Sequence, residues 1–168
     1  AVAVFIYGLV PEFLLRFLAW GLIHLFYRVQ KRGVEGIPHE GAALIVCNHV
    51  SFVDPVILMA VSPRPIRFVM DHHIFRTPLI SFIFRHTRAI PIAPAKEDAA
   101  MMVRAFDEVS AALREGELVC IFPEGRITDS GELYPFRPGV TRILERDPVP
   151  VIPLALQGLW GSFFSRKG

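Results

Sequence analysis

The 168-residue sequence has only two cysteines and lacks the short motifs of several large enzyme classes. Cys47 and Cys120 have no CxxC spacing, so we interpret them as buried, reduced thiols, which favours a domain that faces the cytoplasm. The sequence has no Walker A loop and no GxGxxG turn, and nucleotide-dependent chemistry is therefore unsupported. It also has no GxSxG elbow of the kind that presents a nucleophilic serine.

The N-terminal segment is apolar, yet its charge-free run from Phe17 to Tyr27 is shorter than the roughly 20 residues that span a bilayer. A signal-peptide pattern and an initial methionine are also missing, and we expect the segment to continue a longer protein. Four polar residues spaced by multiples of four trace a narrow stripe on an otherwise apolar helix: Glu12, Arg16, His24 and Arg28. We favour a helix at the membrane interface over a spanning helix or a core helix, and divide the chain into a membrane-associated segment, 1–30, and a domain, 31–168.

The charge is small but unevenly distributed. The net charge is +2, whereas residues 62–96 contain six arginines and lysines against the single acid Asp71, which gives +5 there and −3 elsewhere. These basic residues alternate with aromatic and aliphatic ones, a mixture that favours anionic lipid headgroups as a partner over nucleic acid. The alternative is a solvated arginine face above ordinary core aromatics.

Strands and helices alternate along the sequence. The apolar runs predict strands over Tyr27–Val34, Ala42–Cys47, Ile66–Met70, Ala89–Ala93, Leu118–Phe122 and Val149–Leu156. Asp54, Thr77 and Asp98 are predicted as N-caps. Together with helical spacing they predict helices over Asp54–Val61, Thr77–Arg85, Asp98–Leu113 and Gly139–Arg146. This alternation indicates an α/β fold with a mixed, partly parallel sheet flanked by helices, preceded by the N-terminal membrane-associated helix.

Two turns with reactive side chains follow two of the predicted strands. Asn48–Asp54 follows the first, and Phe122–Arg126 follows the second. Ligands of parallel α/β sheets bind beyond the carboxyl ends of the strands. His49 and Glu124 both occupy that position, so we expect the two turns to form one site.

The first turn has the residues of a general base. His49 can remove a hydroxyl proton near neutral pH, and Asp54 can hold its imidazole in the required tautomer. No protein nucleophile is evident, because Ser51 lies too close in sequence to His49 for a productive pair. We therefore expect a hydroxyl of the substrate to act as the nucleophile and to attack an activated acyl group directly. The minor alternative is an acyl-enzyme intermediate on Ser51 or Cys47.

The second turn has the residues of an anion site. Gly125 lets backbone amides approach an anion closely, and Arg126 can offer a bidentate fork to a phosphate. The alternative is a surface ion pair between Glu124 and Arg126. A separate group of histidines, His72, His73 and His86, does not predict a metal site, because neighbours on a strand point in opposite directions.

These motifs together resemble the glycerolipid, or lysophospholipid, acyltransferase family. The family's NHxxxxD and FPEG motifs stand here as Asn48–Asp54 and Phe122–Gly125, and the likeness extends to the proline-bearing strand Val149–Pro153. The resemblance implies transfer of a fatty acyl chain from acyl-CoA or acyl carrier protein to the hydroxyl of lysophosphatidate or another lysophospholipid. By the same resemblance, the reaction needs no cofactor or metal. The domain is expected on the cytoplasmic face of the cell membrane, either peripheral or anchored.

The resemblance also implies roles for individual residues. It makes His49 the base and Asp54 its orienting partner. It places Glu124, Gly125 and Arg126 in the phosphate site of the acceptor. Asn48 and Pro123 complete the motifs without a separate chemical role.

The sequence departs from the family pattern at two places. No arginine stands within Ile90–Pro94, where the family has one, so we expect Arg88 or Lys96 to take its place. Arg126 follows Gly125 directly, without an intervening threonine. The sequence Phe122–Thr128 and the closing residues Phe164–Gly168 look more like those of bacterial 2-acylglycerophosphoethanolamine acyltransferases, some of which are joined to transporter or acyl-ligase domains. Two rival functions remain open: a non-catalytic module that binds anionic lipid, and a thioester hydrolase.

Overall fold

Five short strands form one sheet in a computed structural model that describes residues 2–76, 83, 85–162 and 164–166. The strands are β1 Ala43–Cys47, β2 Ile66–Asp71, β3 Ile90–Ile92, β4 Leu118–Ile121 and β5 Val151–Leu154, in the order β3-β2-β4-β1-β5. All pairings described within the sheet are parallel, so the expectation of a mixed sheet is wrong. Parallel strands need crossover connections, because the chain must return to the opposite edge of the sheet before the next strand begins. Such connections contain the helices Asp54–Val61, Ala95–Arg114 and Gly139–Arg146.

The helices are α1 Val2–Phe26, α2 Asp54–Val61, α3 Ala95–Arg114 and α4 Gly139–Arg146, and short 3₁₀ turns lie at Val34–Gly36 and His72–Arg76. The predicted strand over Tyr27–Val34 is wrong. Its polar residues are exposed, and Gly33 adopts a left-handed φ of 70° that breaks an extended chain. The predicted helix from Thr77 lies largely outside the described residues.

Asp98 caps the main part of α3, as predicted. The backbone is non-helical at Asp98, and the Asp98 Oδ1 atom accepts a hydrogen bond of 2.8 Å from the Met101 amide. The helix ends before Gly116, whose φ of 78° suits a left-handed C-terminal position.

The core lies on both faces of the sheet because successive strand residues point to opposite sides. One face packs Ile45, Phe68 and Cys120 with helix α2, and the other packs Leu44 and Val119 with helix α3. Strands covered on both faces are continuously apolar, as the sequence of β4 shows. Cys47 and Cys120 are free and buried, as predicted.

Over residues 13–26, helix α1 packs on the domain with one side and exposes another. Ala19 and Ile23 are buried, Ile23 in a cluster with Ile57, whereas Phe13 and Leu25 are 72% and 77% exposed. Within the described residues, no helix is long and apolar enough to cross a membrane. Helix α1 thus combines a docked side with an exposed apolar side.

Candidate active site

The turn between β1 and α2 is organised around one buried carboxylate. The Asp54 Oδ2 atom lies 2.8 Å from His49 Nδ1 and accepts backbone hydrogen bonds from Val50 at 2.7 Å and Ser51 at 3.0 Å. Asp54 was predicted as the N-cap of α2, but it is the first helical residue and follows Val53. Its side chain binds the preceding turn, so it holds the backbone of Val50 and Ser51 as well as the ring of His49.

This arrangement defines the state of the imidazole. A carboxylate oxygen that already accepts two amide hydrogens also accepts from His49 Nδ1, which leaves the lone pair on Nε2. The ring stacks on Phe122 with centroids 4.1 Å apart, and its side chain is 13% exposed and lines a cavity. His49 can therefore take a proton from a group bound in that cavity.

Replacing Asp54 with Asn separates the charge of this carboxylate from its geometry. The amide oxygen can keep the three hydrogen bonds, but the neutral side chain cannot stabilise the imidazolium that forms during proton transfer. We expect the turnover number for acyl transfer to fall by about 10²- to 10⁴-fold. Steady-state kinetics with circular dichroism as the folding control tests this, and a folded Asp54→Asn variant with near-normal turnover would contradict the role.

Glu124 joins the two turns. Its Oε1 atom accepts a 2.8 Å hydrogen bond from the His49 amide, its Oε2 atom accepts one of 2.9 Å from the Tyr134 amide, and the residue is 2% exposed. The sequence placed Glu124 in the phosphate site. The structure instead gives its carboxylate a linking role, since both oxygens are bound to backbone amides and their negative charge would repel a phosphate.

The supporting motif residues also hold chain segments together. The side-chain amide of Asn48 donates to the Leu156 carbonyl at 2.9 Å and accepts from the Leu156 amide at 2.7 Å, which ties the end of β1 to the chain after β5. The Pro123 carbonyl accepts a 2.8 Å hydrogen bond from the Arg137 amide. The predicted supporting role of Asn48 and Pro123 thus has a specific geometry.

Gly125 and Arg126, which the sequence predicts in the phosphate site, both line the cavity. Gly125 has a φ of 68°, a left-handed conformation that favours glycine. The Arg126 guanidinium carbon lies 3.9 Å from the centre of the Tyr134 ring. A cation–π contact of this kind holds the guanidinium over the ring.

Arg88 lies at the other edge of the sheet, so its assignment to the phosphate site is wrong. It pairs with Glu117 at 2.6 Å and Glu115 at 3.6 Å, beside the start of β4. Arg88 precedes β3, whereas His49 follows β1, and in parallel strands these positions fall at opposite edges. Lys96 is exposed in the first turn of α3, after the cavity residues Pro94 and Ala95, and its role stays a prediction.

Replacing Arg88 with Ala should leave the acceptor KM unchanged, because its guanidinium is distant from the catalytic edge. Removing its half-exposed ion pairs should lower the free energy of unfolding by no more than about 1 kcal/mol. Acceptor titrations and chemical denaturation measure the two effects separately. A clear rise in acceptor KM would return Arg88 to the phosphate site.

A cavity of about 530 Å³ opens beside both turns. Part of its wall is apolar, with Ile92, Met102 and Phe106 among the lining residues. Four arginines also line it: Arg126, Arg137, Arg142 and Arg166. Of these, only Arg126 is predicted at the site from the sequence, since no local pattern distinguishes the other three from surface arginines.

The cavity arginines differ from the ordinary surface ones in their partners. Arg114 and Arg146 form ion pairs with carboxylates at 3.1 and 2.7 Å. In the part of the chain that the structure describes, none of the four cavity arginines forms such a pair. Asp71 also lines the cavity, but its carboxylate binds His73. The cavity therefore suits a ligand with an apolar part and an anionic part.

His72 and His73 are brought together by a 3₁₀ turn, so the expectation that they point apart is wrong. Their ring centroids lie 3.9 Å apart, and both rings lie near Asp71 Oδ1 and, at 3.2 Å, Glu97 Oε1. Atoms of Asp71, His72 and His73 that could bind a metal lie within 4.8 Å of one another. That the site needs no metal stays a prediction.

The candidate protein nucleophiles are poorly placed for covalent catalysis. Burial, together with the nearby Asp54 carboxylate, raises the pKa of the Cys47 thiol to about 12, so it is protonated at neutral pH. Ser51 is fully buried, and its hydroxyl donates to the Phe164 carbonyl at 2.9 Å rather than to His49. Both observations favour attack by a substrate hydroxyl.

Comparison with known proteins gives consistent matches. Residues 28–157 match the family model described as Acyltransferase. A chloroplastic 1-acyl-sn-glycerol-3-phosphate acyltransferase of Brassica napus, BAT2, is 28% identical over 137 residues, which cover 81% of this chain and 39% of that protein. A 1-acyl-sn-glycerol-3-phosphate acyltransferase of Bacillus subtilis is 26% identical over 125 residues, which cover 74% of this chain and 60% of the relative.

A solved structure supports the fold. The crystal structure of the 1-acyl-sn-glycerophosphate acyltransferase PlsC from Thermotoga maritima matches with a TM-score of 0.76 and 21% sequence identity, over 91% of this chain and 60% of that one. This chain thus spans between 39% and 60% of the length of the three proteins.

Proposed function

The chain belongs to the acyltransferase family, and from this premise we propose that it transfers a fatty acyl group from a thioester to the free hydroxyl of a lysophospholipid. The observation that carries the proposal is the His49–Asp54 pair, which opens on a cavity with an apolar wall and with arginines that form no ion pair with the described residues. The donor is an acyl thioester of CoA or of acyl carrier protein. The chemistry requires no cofactor beyond that thioester.

The geometry supports a direct transfer. His49 Nε2 accepts the proton of the acceptor hydroxyl as its oxygen attacks the thioester carbonyl, and Asp54 stabilises the resulting imidazolium. The tetrahedral intermediate collapses with cleavage of the carbon–sulfur bond. The departing thiolate takes this proton from His49. The enzyme thus returns to its starting state without a covalent intermediate.

The acceptor follows from the charge of the cavity and from the relatives. The guanidinium groups that line the cavity favour a phosphate, which both lysophosphatidate and lysophosphatidylethanolamine carry. The named relatives act on 1-acylglycerol 3-phosphate, which favours lysophosphatidate. The Phe122–Thr128 sequence favours the ethanolamine lipid, so an acceptor panel has to include both.

Helix α1 supports a location at the cytoplasmic face of the cell membrane. Its exposed side carries large apolar residues: Phe13, Leu14, Phe17, Leu18, Trp20, Leu22, Leu25 and Phe26. A lipid interface would cover this surface while Ala19 and Ile23 stay packed on the domain. The basic stretch from residue 62 contributes less than expected, since Arg67 and Arg88 are paired with Glu117 at the opposite edge from His49.

The experiment that tests the function follows a labelled acyl thioester in vesicles containing each lysophospholipid in turn. Labelled phospholipid as the product supports the transferase and identifies the acceptor. Free fatty acid alone would indicate the thioester hydrolase instead. Vesicle binding without turnover of CoA or carrier-protein thioesters would indicate the non-catalytic lipid-binding module.

A further inference from the structure

We infer that Arg137, rather than Arg126, is the main cation that binds the acceptor phosphate. The identification of that anion as an acceptor phosphate rests on the proposed function. Arg137 lies outside both motif turns, 11 positions beyond Arg126 in sequence, and only the folded chain brings it to the site. The inference depends on what each guanidinium touches.

Arg137 lies directly over the glycine turn. A Cβ atom added to Gly125 would stand 2.6 Å from Arg137 Nε, 2.8 Å from its Cδ and 2.9 Å from its Cζ. The glycine therefore provides the space that the Arg137 side chain occupies. A phosphate that approaches the backbone of this turn from the cavity meets the Arg137 guanidinium there.

The backbone of Arg137 is held at this turn as well. Its amide donates to the Pro123 carbonyl at 2.8 Å, and Glu124 binds the amides of His49 and Tyr134. The catalytic turn, the glycine turn and the segment that carries Arg137 are thus joined by hydrogen bonds. A rigid connection of this kind holds a bound phosphate at a constant position relative to His49.

Arg126 is engaged elsewhere. Its guanidinium lies over the Tyr134 ring at 3.9 Å, a contact that a phosphate would have to share or displace. The residue after Arg126, Ile127, is buried and uncharged, so it cannot bind a phosphate in place of Arg126. Arg137 forms no ion pair with the described residues, so its charge remains available to an anion.

The first test compares Arg137→Ala with Arg126→Ala in the transfer assay. Loss of a charge-assisted contact predicts a fall of about 10- to 100-fold in kcat/KM for the acceptor with Arg137→Ala, and a smaller fall with Arg126→Ala. The donor KM should not change. Arg137→Lys should recover part of the loss, because it restores the charge without the bidentate fork.

The matched control is Arg146→Ala. Arg146 lies on α4, pairs with Asp107 and is not among the cavity residues of the described chain. This variant also removes one arginine, yet it should retain the wild-type acceptor kinetics. An equal or greater loss with Arg126→Ala than with Arg137→Ala would overturn the inference.

A second test needs no turnover. We expect glycerol 3-phosphate to bind the wild type and Arg146→Ala in calorimetry, and Arg137→Ala to bind it at least about 10-fold more weakly. If this difference is seen but the wild type transfers no acyl group, the proposed function fails and the anion site stands. If transfer occurs and Arg137→Ala keeps both its kinetics and its affinity, the inference alone fails. If the wild type neither transfers nor binds, both are wrong.

Discussion

Replacing His49 with Ala is expected to reduce acyl transfer by about 10²- to 10⁴-fold while the domain stays folded. The substitution removes the side chain that both contacts Asp54 and lines the cavity. Acyl transfer from a labelled thioester to lysophosphatidate measures the loss. Both kcat and kcat/KM should fall, because proton removal occurs in the transition state.

The stability of this variant is the necessary control. Truncation removes the ring stacked on Phe122 and one hydrogen bond to Asp54, which should lower the free energy of unfolding by about 1–3 kcal/mol. That is less than the roughly 5–15 kcal/mol typical of a folded domain. His39→Ala, which alters an exposed histidine, should leave both activity and stability unchanged. Near-normal transfer by folded His49→Ala would reject the mechanism.

Replacing Glu124 with Ala should chiefly destabilise the protein. The substitution leaves the partly buried amides of His49 and Tyr134 without their acceptors, at a cost of up to about 1–3 kcal/mol each. Chemical denaturation should therefore show a loss of roughly 2–6 kcal/mol. Glu124→Gln should lose about half as much, because its amide keeps one oxygen acceptor.

Kinetics on the folded fraction separate this linking role from a phosphate contact. Because Glu124 holds the backbone of His49, its replacement should lower kcat more than it raises the acceptor KM. Glu145→Ala, on the exposed side of α4, is the matched control and should behave as the wild type. Wild-type stability combined with a large rise in acceptor KM would restore Glu124 to the phosphate site.

The strands were predictable where apolar runs were continuous. β1 and β4 pair residue by residue, from Ala43 with Leu118 to Val46 with Ile121, and both are covered on their two faces. The strand predicted over Tyr27–Val34 is wrong because its polar residues are exposed and the left-handed backbone of Gly33 breaks an extended chain. Apolar periodicity reports burial, but it does not report pairing partners.

The site could be predicted only in its local part. His49 and Asp54 are five residues apart, so a single turn brings them together whatever surrounds it. Arg88 was misplaced because the sequence does not give the direction of β3 in the sheet. Since β3 is parallel to its neighbour, a residue that precedes it lies at the edge opposite His49. Lys96 follows β3 and so lies at the same edge of the sheet as His49. Its contribution to phosphate binding stays a prediction.

The sequence by itself determined the two turns, the base with its carboxylate and the apolar strands that end at them. These features depend on neighbours along the chain, through turn chemistry, capping and burial. Only the tertiary structure decided the linking role of Glu124, whose amide partners lie 75 and 10 residues away, and the position of Arg137 above Gly125. The contacts of a charged side chain depend on strand order and direction, and these emerge only when the whole core packs.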